Sequence, residues 1–293
     1  MKRREFLMGT AAAASLARRG RAQGASRESK LARIGMMCRG FGDKSISTWD
    51  RSQPVPPEQL EIMLDAPEIL ADRYGLHNME VQTIFFLSME PSYYARFNER
   101  LKKAKCKITN MPLELDDPAN TYSGIIGPGA TDPALRAKSI ELTKQWIDIA
   151  AMIGCPSVMV NQGRNFAANL DVFIENLKTM EAYGKTKNVS VTMENRGGGT
   201  PEQLADAARK AGTHIMPDLG NFPDEETRTR GMRLFMPLAL NQCHVKMNAK
   251  FDFGRSIRLA TELGFKGVFS IEGGGPDPNV GIPKFIDALI ENM

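Results

Sequence analysis

The chain contains few histidines, cysteines and tryptophans, and its body has no long apolar segment. Its 293 residues include three histidines, four cysteines and two tryptophans. Three histidines are too few for a histidine-rich zinc cluster. The cysteines show no CxxC spacing, so we expect buried free thiols, with disulfide pairing as the alternative. Beyond residue 24, no stretch reaches the ~18 uninterrupted apolar residues that a membrane-spanning helix requires.

The body of the chain also lacks an excess of basic residues. The formal net charge of +4 arises at the N-terminus, where residues 1–24 carry six basic residues and one acidic residue. Without them the chain has 32 basic and 33 acidic residues, a net charge of −1. Such a balance gives no positive surface that would attract nucleic acid or acidic lipid. We therefore expect no nucleic-acid partner.

Residues 1–24 resemble a twin-arginine export signal. The basic start Arg3-Arg4-Glu5-Phe6-Leu7 precedes a weakly apolar stretch, Met8 to Ala17, that is too short to span a bilayer. Ala22-Gln23-Gly24 offers a cleavage point. The resemblance implies export of the folded protein to the periplasm, with no stable membrane association after cleavage. The alternative is a disordered basic tail.

Residues 31–293 alternate short apolar runs with longer amphipathic ones, which is typical of repeated βα units around a parallel sheet. Because the short runs are apolar on both faces, we predict a single (β/α)8 TIM barrel. The eight predicted strands are Ala32–Cys38, Leu76–Gln82, Cys106–Met111, Ser157–Asn161, Val189–Glu194, His214–Asp218, Cys243–Met247 and Val268–Glu272.

Two predicted connections are long for such a barrel. Residues 39–57 follow the first strand, and residues 112–131 follow the third. Both leave the C-terminal ends of strands, where barrel active sites lie, so they are either lids or ordinary surface insertions.

One metal-capable side chain stands at or near the end of each of the last four predicted strands. Their successive separations are 24, 26 and 28 residues, about one βα unit each, which predicts similar heights on adjacent strands. The four residues are Glu194, Asp218, His244 and Glu272. One nitrogen and three carboxylates suit Mn²⁺ best, and Mg²⁺, Co²⁺ or Zn²⁺ would also fit. The alternative is a set of salt bridges on the barrel rim.

Around these residues the sequence is similar to the sugar isomerase/epimerase superfamily with the xylose-isomerase-like TIM barrel, especially its ketose 3-epimerase branch. The matching pieces are Glu194-Asn195, Asp218-Leu219-Gly220-Asn221, His244-Val245-Lys246 and the segment 264–272. The resemblance implies that the four residues hold one divalent metal, with Glu194 and Glu272 also acting as acid and base. It implies proton transfer through an enediolate of a ketose, cyclitol ketone or related carbohydrate.

The sequence departs from that branch at three positions. Asn221 and Arg196 stand where the family often has histidine, and Met247 stands where an acidic residue is frequent. These positions commonly touch substrate in the family, so the departures concern the substrate more than the metal.

Four further residues are weaker candidates. Lys246 shares a strand face with His244 and either stabilises enediolate charge or pairs with a ligand carboxylate. Arg196, Glu80 and Asn161 either bind substrate oxygens or form structural polar contacts.

Two other functions begin from the same residues. A lyase, such as an inosose dehydratase or a 3-keto-glycoside cleaving enzyme, would start with the same proton abstraction. A non-catalytic, exported carbohydrate-binding barrel would not need the two glutamates. The related abasic-site endonucleases use a histidine-rich trinuclear zinc site that three histidines cannot supply. The sequence is also compatible with a homo-oligomer.

Overall fold

The computed structural model describes residues 26–38, 63–115, 126–163, 166–196, 198–246 and 250–293. The predicted export signal, all of the connection 39–57 and part of the connection 112–131 lie outside these residues, as does Met247. Among the helices described, none is long and apolar enough to cross a membrane.

Eight parallel strands form the centre of the fold, as the apolar runs predict. Their order in the sheet is β6-β5-β4-β3-β2-β1-β8-β7. Each strand pairs with its neighbours in parallel, and each lies within or close to a predicted run. The strands are β1 (Ile34–Met37), β2 (Asn78–Glu80), β3 (Lys107–Pro112), β4 (Ser157–Val160), β5 (Ser190–Glu194), β6 (His214–Met216), β7 (Gln242–Val245) and β8 (Val268–Ile271).

A short helix precedes the barrel, and one longer helix follows each strand. The nine helices of the described chain are α1 (Arg27–Leu31), α2 (Ala66–Tyr74), α3 (Pro91–Lys103), α4 (Pro133–Met152), α5 (Leu170–Thr186), α6 (Pro201–Ala211), α7 (Glu225–Phe235), α8 (Phe253–Glu262) and α9 (Pro278–Asn292). Three single-turn 3₁₀ helices cover Thr83–Phe85, Phe166–Asn169 and Met236–Leu238. The prediction of a xylose-isomerase-like (β/α)8 barrel is confirmed in its architecture.

The edge strands β6 and β7 approach each other and nearly close the barrel. Isolated parallel bridges join Asp218 to His244 and Ile215 to Ala239. The backbone N–H of His244 donates to the oxygen of Pro217 at 2.8 Å, and Leu219 N–H donates to the oxygen of His244 at 3.1 Å. Two predicted ligands, Asp218 and His244, therefore lie where the two edges of the sheet meet.

Apolar strand side chains and the inner faces of the helices form one core. Ile34, Met79, Val158 and Val191 on the strands are fully buried. The four cysteines are thiols, and three of them are buried, which agrees with their places in or beside strands. This core fixes the strands and thereby the heights of the residues at their ends.

The helices that follow the last four strands are all capped by a side chain at their N-termini. Each begins after a residue whose side chain accepts a backbone N–H of the first turn, which satisfies an otherwise unpaired donor. These caps are Thr200, Asp224, Asp252 and Asp277. Thr200 also forms a capping box with Gln203.

Candidate metal centre

The four predicted ligands meet at the C-terminal end of the barrel. Glu194 ends β5, Asp218 lies two residues beyond β6, His244 belongs to β7 and Glu272 follows β8. One ligand atom from each residue lies within 4.8 Å of the ligand atoms of the other three. The spacing of one βα unit thus places all four side chains at one point.

The Nδ1 atom of His244 faces the three carboxylates. It lies 3.0 Å from Glu194 Oε1, 3.8 Å from Glu272 Oε2 and 4.0 Å from Asp218 Oδ2. The side chains of Glu194, Asp218 and His244 are almost fully buried, whereas that of Glu272 is 18% exposed. The cluster is therefore reached from the side of Glu272.

Lys246 pairs with two of the ligand carboxylates. Its Nζ lies 2.6 Å from Asp218 Oδ2 and 2.9 Å from Glu272 Oε2, and it donates to Asn221 Oδ1 at 3.1 Å. Of the two roles predicted for Lys246, these contacts favour pairing with a ligand carboxylate. A role in stabilising an enediolate stays a prediction.

Arg196 lies beside the cluster, and Asn161 follows β4, the strand that pairs with β5. Arg196 Nη1 is 3.8 Å from Glu194 Oε2, and its side chain is half-buried. Asn161 directly follows β4, and its Oδ1 is buried without a hydrogen bond from any described residue. Both positions are compatible with contacts to substrate oxygens, which stay predictions.

Glu80 contacts the Nε2 atom of His244, whereas the three predicted carboxylate ligands face its Nδ1 atom. It is the last residue of β2 and is fully buried. Both of its oxygens are 2.9 Å from His244 Nε2, and they also accept hydrogen bonds from Asn110 and Ser270. The substrate-binding role predicted for Glu80 stays a prediction, and these contacts favour a role behind His244.

Two amide side chains that the sequence reasoning left without a role hold the ligand strands together. Gln162 Nε2 donates to the backbone oxygen of Glu194. Asn195 Oδ1 accepts from Asp218 N–H at 2.6 Å, and its Nδ2 donates to the backbone oxygens of Asp218 at 3.0 Å and Asn221 at 3.2 Å. Polar side chains buried at strand ends need partners, and that requirement was the signal available in the sequence.

Burial and close charges shift the pKa values of the cluster in opposite directions. Burial, together with the charge of Glu194, raises the pKa of Asp218 to about 7. For Glu194, burial is outweighed by the hydrogen bond and charge of His244, which lower its pKa to about 2. Burial opposes charge on His244, but the charge of Glu80 and the hydrogen bonds of Glu194 and Glu80 raise its pKa well above the usual value. The positive charges of His244 and Lys246 thus lie among the three carboxylates.

The residues present fit a divalent cation. Glu194 Oε2, Asp218 Oδ2 and Glu272 Oε2 are buried and accept no well-oriented hydrogen bond within the described residues, although basic groups lie close to them. Buried oxygens without such partners are costly, and a cation would satisfy them together. Glu80 and the three ligand residues carry four carboxylates, and two permanent positive charges, those of Lys246 and Arg196, lie beside the ligands. The remaining two negative charges match a divalent ion once His244 is neutral.

The family model described as xylose isomerase-like TIM barrel matches residues 69–291, more than half of the chain. The chain belongs to the xylose isomerase-like TIM barrel family. The matched segment includes β2 to β8 and all four residues of the candidate metal centre.

Solved structures of this barrel superpose on most of the chain. A xylose isomerase-like TIM barrel protein from Mycobacterium smegmatis, in complex with magnesium, has a TM-score of 0.66 and 17% identity over 92% of this chain and 98% of its own. A D-allulose 3-epimerase from Methylomonas sp. has a TM-score of 0.67 and 12% identity over 89% and 98%. A 3-keto-D-glucoside 4-epimerase from E. coli has a TM-score of 0.65 and 12% identity over the same shares.

At these identities the likeness to the solved structures concerns the fold. A search among curated protein sequences finds no match to this chain. Family membership and the geometry of the candidate metal centre are therefore the two findings from which function is argued.

Proposed function

We propose that this protein is a metal-dependent epimerase or isomerase acting on a ketose, a cyclitol ketone or a related free carbohydrate. The observation that carries the proposal is that Glu194 and Glu272 enter the same cluster from β5 and β8. Two carboxylates at one site can remove a proton from a carbon beside a carbonyl and return one to it. A binding protein would not require such a pair.

We infer that Glu194, Asp218, His244 and Glu272 hold the metal, with Mn²⁺ as the proposed ion. When bound, the cation supplies Lewis-acid stabilisation of negative charge on substrate oxygens. Carboxylate and imidazole ligands suit Mn²⁺, and the magnesium in the mycobacterial relative supports a hard ion in this barrel.

The two glutamates differ in their surroundings and therefore in what they are suited to do. Glu194 is buried beside His244 and Arg196, so water does not compete for its carboxylate. Glu272 is the more exposed of the two and lies beside the ammonium of Lys246, which orients its carboxylate. We propose that Arg196, next to Glu194, and Asn161, whose Oδ1 has no hydrogen bond from a described residue, bind substrate oxygens.

The related structures support a carbohydrate substrate. The names of two of them describe epimerases of D-allulose and of a 3-keto-D-glucoside. Both reactions invert a carbon next to, or near, a carbonyl group. A keto sugar is therefore the substrate class that we propose for this chain.

The test begins with incubation of Mn²⁺-activated protein in deuterated water with ketoses, inososes and 3-keto-glycosides. The metal is then removed, and the products are identified by NMR spectroscopy. We expect one substrate to exchange a carbon-bound proton and to give an epimer or isomer. Glu194→Gln and Glu272→Gln should each slow turnover by about 10²–10⁴-fold, the usual contribution of acid–base groups. Glu181→Gln, at a buried carboxylate that accepts from Val191 N–H, is the matched control and should keep its rate.

Three outcomes would change the proposal. Near-parental turnover by both glutamine variants, with metal bound, would remove the two-glutamate mechanism. Loss of water or of a glycosidic substituent in place of inversion would make the protein a lyase. Binding of a sugar with no proton exchange would favour the carbohydrate-binding alternative.

We also propose that the protein reaches the periplasm by the twin-arginine route. The support is the pair Arg3-Arg4 followed by a short, weakly apolar stretch. Replacing both by lysine should retain the precursor in the cytoplasm, as measured by cell fractionation. Unchanged export of that double variant would overturn the proposal.

A further inference from the structure

Glu80 forms three contacts deep in the barrel. Its Oε1 accepts from Asn110 Nδ2 at 2.9 Å, and its Oε2 accepts from Ser270 Oγ at 2.6 Å. His244 Nε2 lies 2.9 Å from both oxygens. Glu80, Ser270 and His244 are each at most 1% exposed, so solvent does not compete for these bonds.

The contact with Glu80 determines which nitrogen of His244 carries a hydrogen. An ionised carboxylate can only accept, so the Nε2 atom that faces it must be the donor. In the neutral ring the lone pair is then on Nδ1, the atom that faces Glu194, Asp218 and Glu272. The two ring nitrogens point to different edges of the imidazole, so Glu80 lies on the far side from the ligand cluster.

We propose that Glu80 is a positioning residue that fixes the ring orientation and the tautomer of His244 for metal binding. This inference rests on the metal site in the proposed function. Carboxylates that accept from the second nitrogen of a metal-bound histidine hold the ring in place and make it more basic. Glu80 acts through His244, and no contact with substrate is needed.

Neighbouring strands hold the carboxylate of Glu80 in place. Ser270 on β8 is the register partner of His244 on β7, so both donors come from one level of the barrel. On the other side, Ser157 Oγ donates to Asn110 Oδ1 at 2.7 Å, which directs the amide nitrogen of Asn110 towards Glu80. Every polar atom in this chain of contacts has a partner, and such complete networks are rigid.

The first measurement is the affinity of the purified protein for Mn²⁺ by calorimetry. Glu80→Ala leaves the Nε2–H of His244 without an acceptor and should weaken binding by about 100-fold. Glu80→Gln retains an oxygen for His244 and Asn110 but loses the charge, so we expect a loss of about tenfold. Glu181→Gln, a substitution of a buried carboxylate away from the ligands, should bind Mn²⁺ like the parent.

The second measurement is ¹⁵N NMR of histidine-labelled protein loaded with Mg²⁺. The chain has three histidines, so the signals can be assigned by substitution. We expect a slowly exchanging Nε2–H proton on His244 in the parent and in Glu80→Gln, and its loss in Glu80→Ala. A residue that only filled space would not change this signal.

The outcomes separate this inference from the metal proposal. A parent protein that binds no divalent cation would overturn the metal site itself. A parent that binds Mn²⁺, with both Glu80 variants binding equally tightly and His244 unchanged in the NMR spectrum, would overturn the role of Glu80 alone. If Glu80→Ala does not fold, Glu80→Gln decides: affinity equal to that of the parent would contradict the inference.

Discussion

Strands β5 to β8 end in the four ligand residues, whereas β2, β3 and β4 contribute polar residues that bond to one another and to the ligands. On the first side, Glu194, Asp218 and Glu272 have buried oxygens that accept no well-oriented hydrogen bond within the described chain. On the second side, Glu80 and Asn110 have their carboxylate and amide groups engaged. The ligand residues therefore have oxygens available to bind a cation, whereas the side chains of Glu80 and Asn110 are already hydrogen-bonded.

The difference teaches how a buried charged site can be kept in order. Ionised carboxylates that lie close together repel one another and would separate if their strands could move. The satisfied side contacts them through His244, which reaches Glu80 with Nε2 and Glu194 with Nδ1. His244 therefore joins a rigid support to the candidate metal centre.

The largest expected effect follows from deleting a ligand. His244→Ala and Asp218→Ala should abolish stoichiometric Mn²⁺ binding, because each removes one of four ligands. Asn110→Ala, on the supporting side, should retain the ion with lower affinity. Elemental analysis of the purified variants measures this, with circular dichroism to show that they are folded. Full occupancy in either ligand variant would break the comparison.

The second effect is the pH dependence of metal binding. The metal competes with protons, and the pKa of Asp218 is raised to about 7 by burial and by Glu194. Metal affinity should therefore fall by about tenfold per pH unit below pH 7 for each proton displaced, and the proton of His244, whose pKa is also raised, should extend this fall to pH values above 7. Calorimetry between pH 6 and pH 8 checks the slope. The slope of Mn²⁺ affinity against pH should be kept in Asp218→Glu and become smaller in Asp218→Asn. Equal slopes in the two variants would contradict the assignment of this proton to Asp218.

The third effect has the opposite sign. Lys246 Nζ contacts the same Asp218 and Glu272 oxygens that would bind the ion. Removing this positive charge should make the two carboxylates bind cations more tightly. A rise of one unit in their pKa corresponds to an increase of about tenfold in Mn²⁺ affinity. Lys246→Met should also lose less turnover than the glutamine variants. Lys250→Met is the control, since Lys250 donates to the backbone oxygen of Phe222. Weaker binding in Lys246→Met would show that the lysine supports the ion.

The smallest effect belongs to the residue farthest along the supporting chain. Ser157→Ala removes the hydroxyl that donates to Asn110. The free energy of unfolding should fall by about 1 kcal/mol, the usual value of one hydrogen bond. Mn²⁺ affinity should stay the same, because Asn110 can still reach Glu80. Chemical denaturation and calorimetry separate the two quantities.

The two sides also differ in how far the sequence predicts them. The ligands could be found because one residue per βα unit, at the end of each strand, must meet its equivalents in a closed barrel. The contacts of Glu80 could not be found in this way. Between Met79 and Glu80 the register with β3 shifts, so Glu80 pairs with Asn110 and not with Thr109. An irregularity of this kind has no signature in the pattern of apolar residues.

The contact between Glu80 and His244 also joins residues 164 positions apart on strands that are not neighbours in the sheet. Only the closure of the barrel brings them together. Asn110, Ser157 and Ser270 could be recognised in the sequence as polar residues within apolar strands, but their partners could not.

The capped helices have a consequence for how this barrel can change. Helices α6 to α9 begin at Thr200, Asp224, Asp252 and Asp277, whereas α2, α3 and α5 begin without a side-chain cap in the described structure. A cap fixes where a helix starts whatever precedes it. Each loop after a ligand strand thus runs between two anchored ends. Under the proposed function, mutations in these loops can alter the shape offered to the substrate while strand and helix stay in place, so new substrate preferences can evolve without rebuilding the candidate metal centre.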